Sequence, residues 1–237
     1  MPSVLLTWND IKDKLADVCE AGDVDGLKDH YEVLPSNRQP LSIDSKVNAG
    51  DENCLHIVVR NGHVTCAEYL LARGAGVNVT GKKGMAAVHL AAIRGDLRML
   101  DMIVESGGDI TLLDNGFASP LYYATKYGRI ECVRYLLSKH KENERKTVTC
   151  HYVDVPCKAP KWETPLWVAV RQGYVEIVAL LVTSGCHLEQ RDPNGWTVLH
   201  AACKRSNVEV VKTLLKVRRL CGYCNGCVEI RVTYSLV

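Results

Sequence analysis

A block of about eleven residues recurs along this chain at a fixed interval, and the recurrence restricts the fold more than any property of the composition. The blocks CLHIVVRNGHV, AVHLAAIRGDL, PLYYATKYGRI, PLWVAVRQGYV and VLHAACKRSNV each place one residue in the same slot: His56, His89, Tyr122, Trp167 and His200. The intervals between these pivots are 33, 33, 45 and 33 residues, so the odd one is the common period plus 12. Gly62, Gly95, Gly128 and Gly173 stand six residues after their pivots. Apolar pairs follow at fourteen and fifteen: Leu70-Leu71, Ile103-Val104, Leu136-Leu137, Leu181-Val182 and Leu214-Leu215. A second glycine column, Gly74, Gly107 and Gly185, lies at eighteen. A period of this length marks stacked copies of one supersecondary unit.

The unit reads as a helix, a tight turn and a second helix. The first glycine supplies the left-handed backbone that ends a helix. The stretch after it carries apolar residues at helical spacing, as in Val64, Ala67, Leu70 and Leu71. Polar, turn-rich segments such as Asn78–Gly84 and Arg191–Gly195 then lead to the next unit. One unit cannot bury enough apolar surface to offset the entropy of ordering its backbone, so neighbours must cover its flat faces.

These residues resemble the ankyrin repeat. Gly195-Trp196-Thr197-Val198-Leu199-His200-Ala201-Ala202 follows the family pattern G-x-T-P-L-H-x-A-A with Val198 in place of Pro, and Thr164-Pro165-Leu166 keeps the pattern while Trp167 replaces its histidine. Gly62-His63, Gly74-Ala75 and Asn78 fit the later columns. The resemblance covers residues 47–217 and implies an all-α solenoid of stacked helix-turn-helix units with projecting hairpin-like connections. We expect a degenerate N-terminal capping repeat over residues 1–43, a repeat array over 44–220 with a projecting insertion at 140–161, and a cysteine-containing tail over 221–237. His140 takes the place of a closing glycine before the insertion, and Ser206 and Arg218 replace both glycines of the last unit. Within the tail, residues 228–234 alternate like a strand, and the array has no evident polar C-terminal cap.

The residues that look chemical are explained by repetition. In an ankyrin stack the pivot histidine bonds the backbone of the adjoining connection, which is the role expected of His56, His89 and His200. Tyr122 and Trp167 fill the same slot, so no imidazole chemistry is required there. The chain has 11 cysteines, and Cys19, Cys54, Cys66, Cys132, Cys186 and Cys203 fall in the repeat framework as packing residues. Cys150, His151 and Cys157 in the insertion, and Cys221, Cys224 and Cys227 in the tail, are the weaker candidates for zinc, each short of a fourth ligand. Phosphate-loop, nucleophile-elbow and zincin motifs do not occur. The start shows no secretory pattern and the longest apolar stretch, 175–182, is too short to span a bilayer, so a reducing cytoplasmic or nuclear setting is expected. We expect no cofactor and no catalysis.

What remains is binding. The resemblance implies partners on the inner face of the first helices and on the connection tips. Four and five residues after each pivot stand Arg60-Asn61, Ile93-Arg94, Lys126-Tyr127, Arg171-Gln172 and Lys204-Arg205: every repeat contributes a cation and none an acid. The total charge of +2 is uninformative, but this stripe favours a protein partner with an acidic segment. Tyr127 adds an aromatic anchor, and the tips add Lys82, Lys83, Phe117 and Trp196. The chain is expected to act as a monomer or as part of a larger complex. Two other readings compete: substrate recognition for a ubiquitin ligase, which needs a SOCS box the tail does not show, and binding of anionic lipid or nucleic acid, disfavoured because no stacking platform accompanies the cations.

Overall fold

A computed structural model describes residues 8–32, 42–144, 152–157 and 163–220. Twelve α-helices are present among them, arranged as six successive pairs: α1 (Trp8–Ala21) with α2 (Val24–Glu32), α3 (Cys54–Asn61) with α4 (Val64–Ala72), α5 (Ala87–Arg94) with α6 (Leu97–Glu105), α7 (Pro120–Lys126) with α8 (Ile130–Glu144), α9 (Pro165–Gln172) with α10 (Val175–Thr183), and α11 (Val198–Lys204) with α12 (Val208–Leu220). First helices pack on first helices and second on second: α3 lies between α1 and α5, α7 between α5 and α9, and α10 between α8 and α12. One apolar core therefore runs the length of the stack, from Leu15 and Leu27 through Leu70, Ile103, Leu136 and Leu181 to Leu214.

Each pair is built by the same local devices. Ser119 and Thr164 cap their helices by accepting from the amides of Tyr122 and Trp167, with Pro120 and Pro165 as the first helical residues. Gly62, Gly95 and Gly173 end the first helices at φ +83°, +82° and +80°. Ser206, in the glycine place of the last unit, adopts the same left-handed backbone at φ +54°. Helix length follows the closing glycine. Where Gly74, Gly107 and Gly185 are present the second helix has 9 residues. With His140 and Arg218 in that place, α8 and α12 run on to 15 and 13.

The described part of the insertion packs rather than projects. Tyr152–Asp154 forms a short 3-10 turn in which Tyr152 and Val153 are buried, and the Tyr152 ring lies 4.5 Å from that of His140. The Asp154 carboxylate accepts from the amide of His187 at 3.1 Å, just as Asp44 accepts from Gly76 at 2.7 Å three repeats earlier in the stack. Cys157 and Glu163 then form an antiparallel bridge. Thus the chain is back in repeat register by Tyr152, because backbone donors of the next connection must be satisfied there; the looser expectation of a loop over 140–161 is narrowed accordingly. Cys150, His151 and the tail at 221–237 with Cys221, Cys224 and Cys227 lie outside the described residues.

Candidate partner-binding surface

The pivot histidines are structural fasteners. In His56 and His89 the Nδ1 atom accepts from the backbone amides of Asn53 and Ala86, and Nε2 donates at 3.1 Å to the carbonyls of Met85 and Leu112 in the following connection. Both rings are buried, and desolvation pushes their pKa values below the ordinary histidine range. His200 makes the first of these contacts among the described residues. Its Nδ1 accepts from the Thr197 amide at 3.1 Å, but the ring is exposed and, among the described residues, no following connection offers its Nε2 a carbonyl. Cys203, expected as a packing residue, is likewise exposed, because α11 has no first helix stacked beyond it among the described residues.

The glycines after the first helices have a second task that spacing alone does not reveal. At each repeat boundary a side chain of the next unit lies across the preceding glycine. A Cβ on Gly22 would stand 2.4 Å from His63, one on Gly62 2.2 Å from Arg94, one on Gly95 2.4 Å from Arg129, and one on Gly173 2.7 Å from Asn207. Three of these side chains then bond the exposed carbonyls at the helix end: His63 donates to Glu20 at 2.9 Å, Arg94 to Arg60 at 3.2 Å and Arg129 to Ile93 at 3.2 Å.

This ladder borders a groove of about 1030 Å³ across the first three repeats after the N-terminal pair. Met85, Leu90 and Ile93 give it apolar surface, while Arg60, Lys82, Lys83, Arg94 and Arg129 outnumber its acids, Glu52 and Asp96. Asp96 caps α6 through the amide of Met99. Tyr127, 45% exposed, stands in the same groove. The sequence reading therefore brought Arg60, Arg94, Lys82, Lys83 and Tyr127 to one surface and missed Arg129, whose only signal was its place one residue after the helix-ending glycine.

The uniform cationic stripe does not survive the structure. Arg60 pairs with Glu52 at 2.5 Å and stands 4.0 Å from Glu20. Arg171 pairs with Glu163 at 2.9 Å, where Glu163 is nearly inaccessible. Both acids lie eight residues before their cation, outside the positions that defined the stripe. Lys204 sits over the Trp196 ring at 4.6 Å, the same eight-residue relation with an aromatic partner. Lys126 has tyrosine rings around it, with centroids of Tyr122, Tyr123 and Tyr127 at 6.0, 5.9 and 5.8 Å. Gln172 and Arg205 are exposed, Asn61 is half-buried, and Phe117 and Trp196 are exposed at the tips by 42% and 37%. Trp196 and Lys204 border a second hollow with Leu188, Leu199 and Leu215 at the end of the stack.

Repeated helical pairs joined by outward connections, stacked first helix on first helix and second on second, define a helical repeat solenoid. No helix among the described residues is long and apolar enough to cross a membrane. The chain belongs to the ankyrin repeat family: the family model "Ankyrin repeats (3 copies)" matches residues 36–114, 55–149 and 143–222. Ankyrin repeats are protein-protein interaction modules. The chain is 27% identical over 177 residues to the ankyrin repeat protein nuc-2 of Neurospora crassa, covering 74% of this chain and 15% of that protein. It is 30% identical over 142 residues to the human Ankyrin repeat and SOCS box protein 11, covering 58% of this chain and 40% of that one. A putative E3 ubiquitin-protein ligase of Arabidopsis thaliana, XBAT31, is 27% identical over 148 residues, 62% of this chain and 32% of its own length. This chain thus spans well under half of each of these relatives. The crystal structure of an ankyrin repeat domain from Acinetobacter baumannii superposes with a TM-score of 0.70 at 24% identity, covering 86% of this chain and 96% of that one, a likeness of fold alone.

Proposed function

We propose that this chain is a non-catalytic adaptor or scaffold module that holds an acidic segment of a partner protein on the groove lined by Lys82, Lys83, Arg94, Tyr127 and Arg129 and on the adjoining Lys126, with Arg60 engaged by Glu52. The excess of cations over acids on this surface carries the reading, and the apolar strip of Met85, Leu90 and Ile93 between them favours a peptide that alternates acidic with apolar residues. It needs no cofactor and acts in the cytoplasm. Reversing Arg60 or Arg171 would strand Glu52 or Glu163, so Lys82→Glu, Lys83→Glu and Lys126→Glu together make the cleaner test. Binding of a labelled Glu/Leu peptide, strong against a Lys/Leu control and lost in the triple variant, is expected. Equal binding of both peptides sinks the reading.

The names of the human and Arabidopsis relatives favour one particular use, recognition of substrates for a ubiquitin ligase. Co-purification with elongin and cullin proteins tests it. Binding to anionic vesicles or nucleic acid at moderate salt would instead favour a phosphate ligand.

A further inference from the structure

In three of the five repeats the residue four after the pivot is a cation that meets, within its own repeat, the residue four before the pivot. That residue is Glu52 for Arg60 and Glu163 for Arg171, at 2.5 and 2.9 Å, and Trp196 for Lys204 at 4.6 Å from the ring centroid. In the second of the five repeats both places are apolar, Met85 and Ile93, and both border the groove. In the third the place is Ala118, too short to reach a cation, and Lys126 has no acid within 4 Å among the described residues. Its ammonium instead has the faces of Tyr122, Tyr123 and Tyr127 about 6 Å away. Tyrosine faces leave the hydrogen-bonding capacity of an ammonium unfilled, whereas a carboxylate fills it.

From this we infer that the third repeat is the entry point for the partner's carboxylate: Lys126 receives it beside the exposed ring of Tyr127, and the Glu52–Arg60 and Glu163–Arg171 pairs are internal copies of that contact which close the neighbouring cations to the partner. The inference rests on the acidic-segment reading above. It makes Ala118 a specificity-determining residue although it has nothing to bind with. A glutamate there would close Lys126 as its own fold closes Arg60 and Arg171, and the equivalent places already carry Glu52 and Glu163 within intact repeats.

The test is fluorescence anisotropy of a fluorescein-labelled peptide of alternating Glu and Leu with the full chain. Ala118→Glu is expected to weaken binding about fivefold, with a lower melting temperature because Ala118 is buried beside Tyr122, Cys157 and Val168, and Lys126→Gln to weaken it by a similar factor without that loss. The two together should weaken it no further than either alone, since both remove one contact. Glu52→Gln keeps an acceptor for the Asn48 amide, which now bonds Glu52 at 2.7 Å, but releases Arg60, and is expected to tighten binding about twofold. Multiplicative losses in the double variant, or unchanged affinity in Lys126→Gln, overturn the inference. Should Ala118→Glu fail to fold, Lys126→Gln and Glu52→Gln decide by their opposite signs. A wild-type chain that ignores the peptide removes the acidic-segment reading itself, and the inference with it.

Discussion

The side chain of Arg129 lies across Gly95 of the preceding repeat, with its Cδ 2.4 Å from where a Cβ on that glycine would be. Gly95 already needs φ +82°, so two independent demands meet at one position. Gly74 has the same φ of +82° with nothing within 4 Å of its absent Cβ. Alanine at Gly74 should therefore cost the left-handed backbone alone, about 1 kcal/mol. Alanine at Gly95 should cost roughly 1 kcal/mol more, because Arg129 must move and release the Ile93 carbonyl. Urea unfolding of the two variants measures the difference. Equal losses would show that the arginine adjusts freely.

Acid should weaken the stack through His56 and His89. Burial holds both pKa values below the ordinary one of about 6.5. The unfolded chain then takes up protons before the folded one does. Their contribution is complete above about pH 6.5 and is lost as pH falls toward the depressed folded values. The slope in that window should approach 1.4 kcal/mol per pH unit for each histidine. Stability measured from pH 7.5 to 5 should fall, and the fall should flatten in His89→Gln. An unchanged profile in that variant would mean that His89 is not kept neutral by the fold.

Phe117 occupies the turn position that belongs to glycine in two other repeats. Its φ is +63°, against +74° at Gly84 and +79° at Gly195. The surrounding bonds match: Phe117 donates to Asp114 at 2.9 Å as Gly84 donates to Gly81 at 2.8 Å and Gly195 to Asp192 at 2.9 Å. A phenyl-bearing residue in this region costs about 1 kcal/mol, so Phe117→Gly should raise stability by about that much. Denaturant midpoints test this. A loss instead of a gain would show that packing of the ring outweighs the backbone strain.

Among Cys19, Cys54, Cys66, Cys132, Cys157, Cys186 and Cys203, only Cys203 is exposed, and it should be the first of these to react with a maleimide in the native protein. Cys132 should be among the slowest, since burial also pushes its thiol up to about 11. Peptide mapping after brief labelling decides the order. Early modification of Cys54 or Cys66 would mean that the N-terminal pair opens before the end of the stack does.

The period of 33 was enough to give the repeat, its two helices and the glycines that end them, because each of these depends on residues close in the chain. A helix end needs its own left-handed residue, and a pivot histidine needs an amide three residues back. The same locality explains the long α8: the missing glycine at His140 could be read directly, whereas the return to register at Tyr152 depended on a bond from His187 to Asp154 across a repeat boundary. Charge was the harder matter. The cations at Arg60, Arg94, Lys126, Arg171 and Lys204 look alike in the sequence, yet two are neutralised, one holds a carbonyl, one rests on an indole and one faces tyrosines. Long side chains reach eight residues back to the connection before their helix or across to the preceding repeat, and those distances exist only after the chain is folded. Periodicity settles where a residue sits; what its charged end meets is settled by packing.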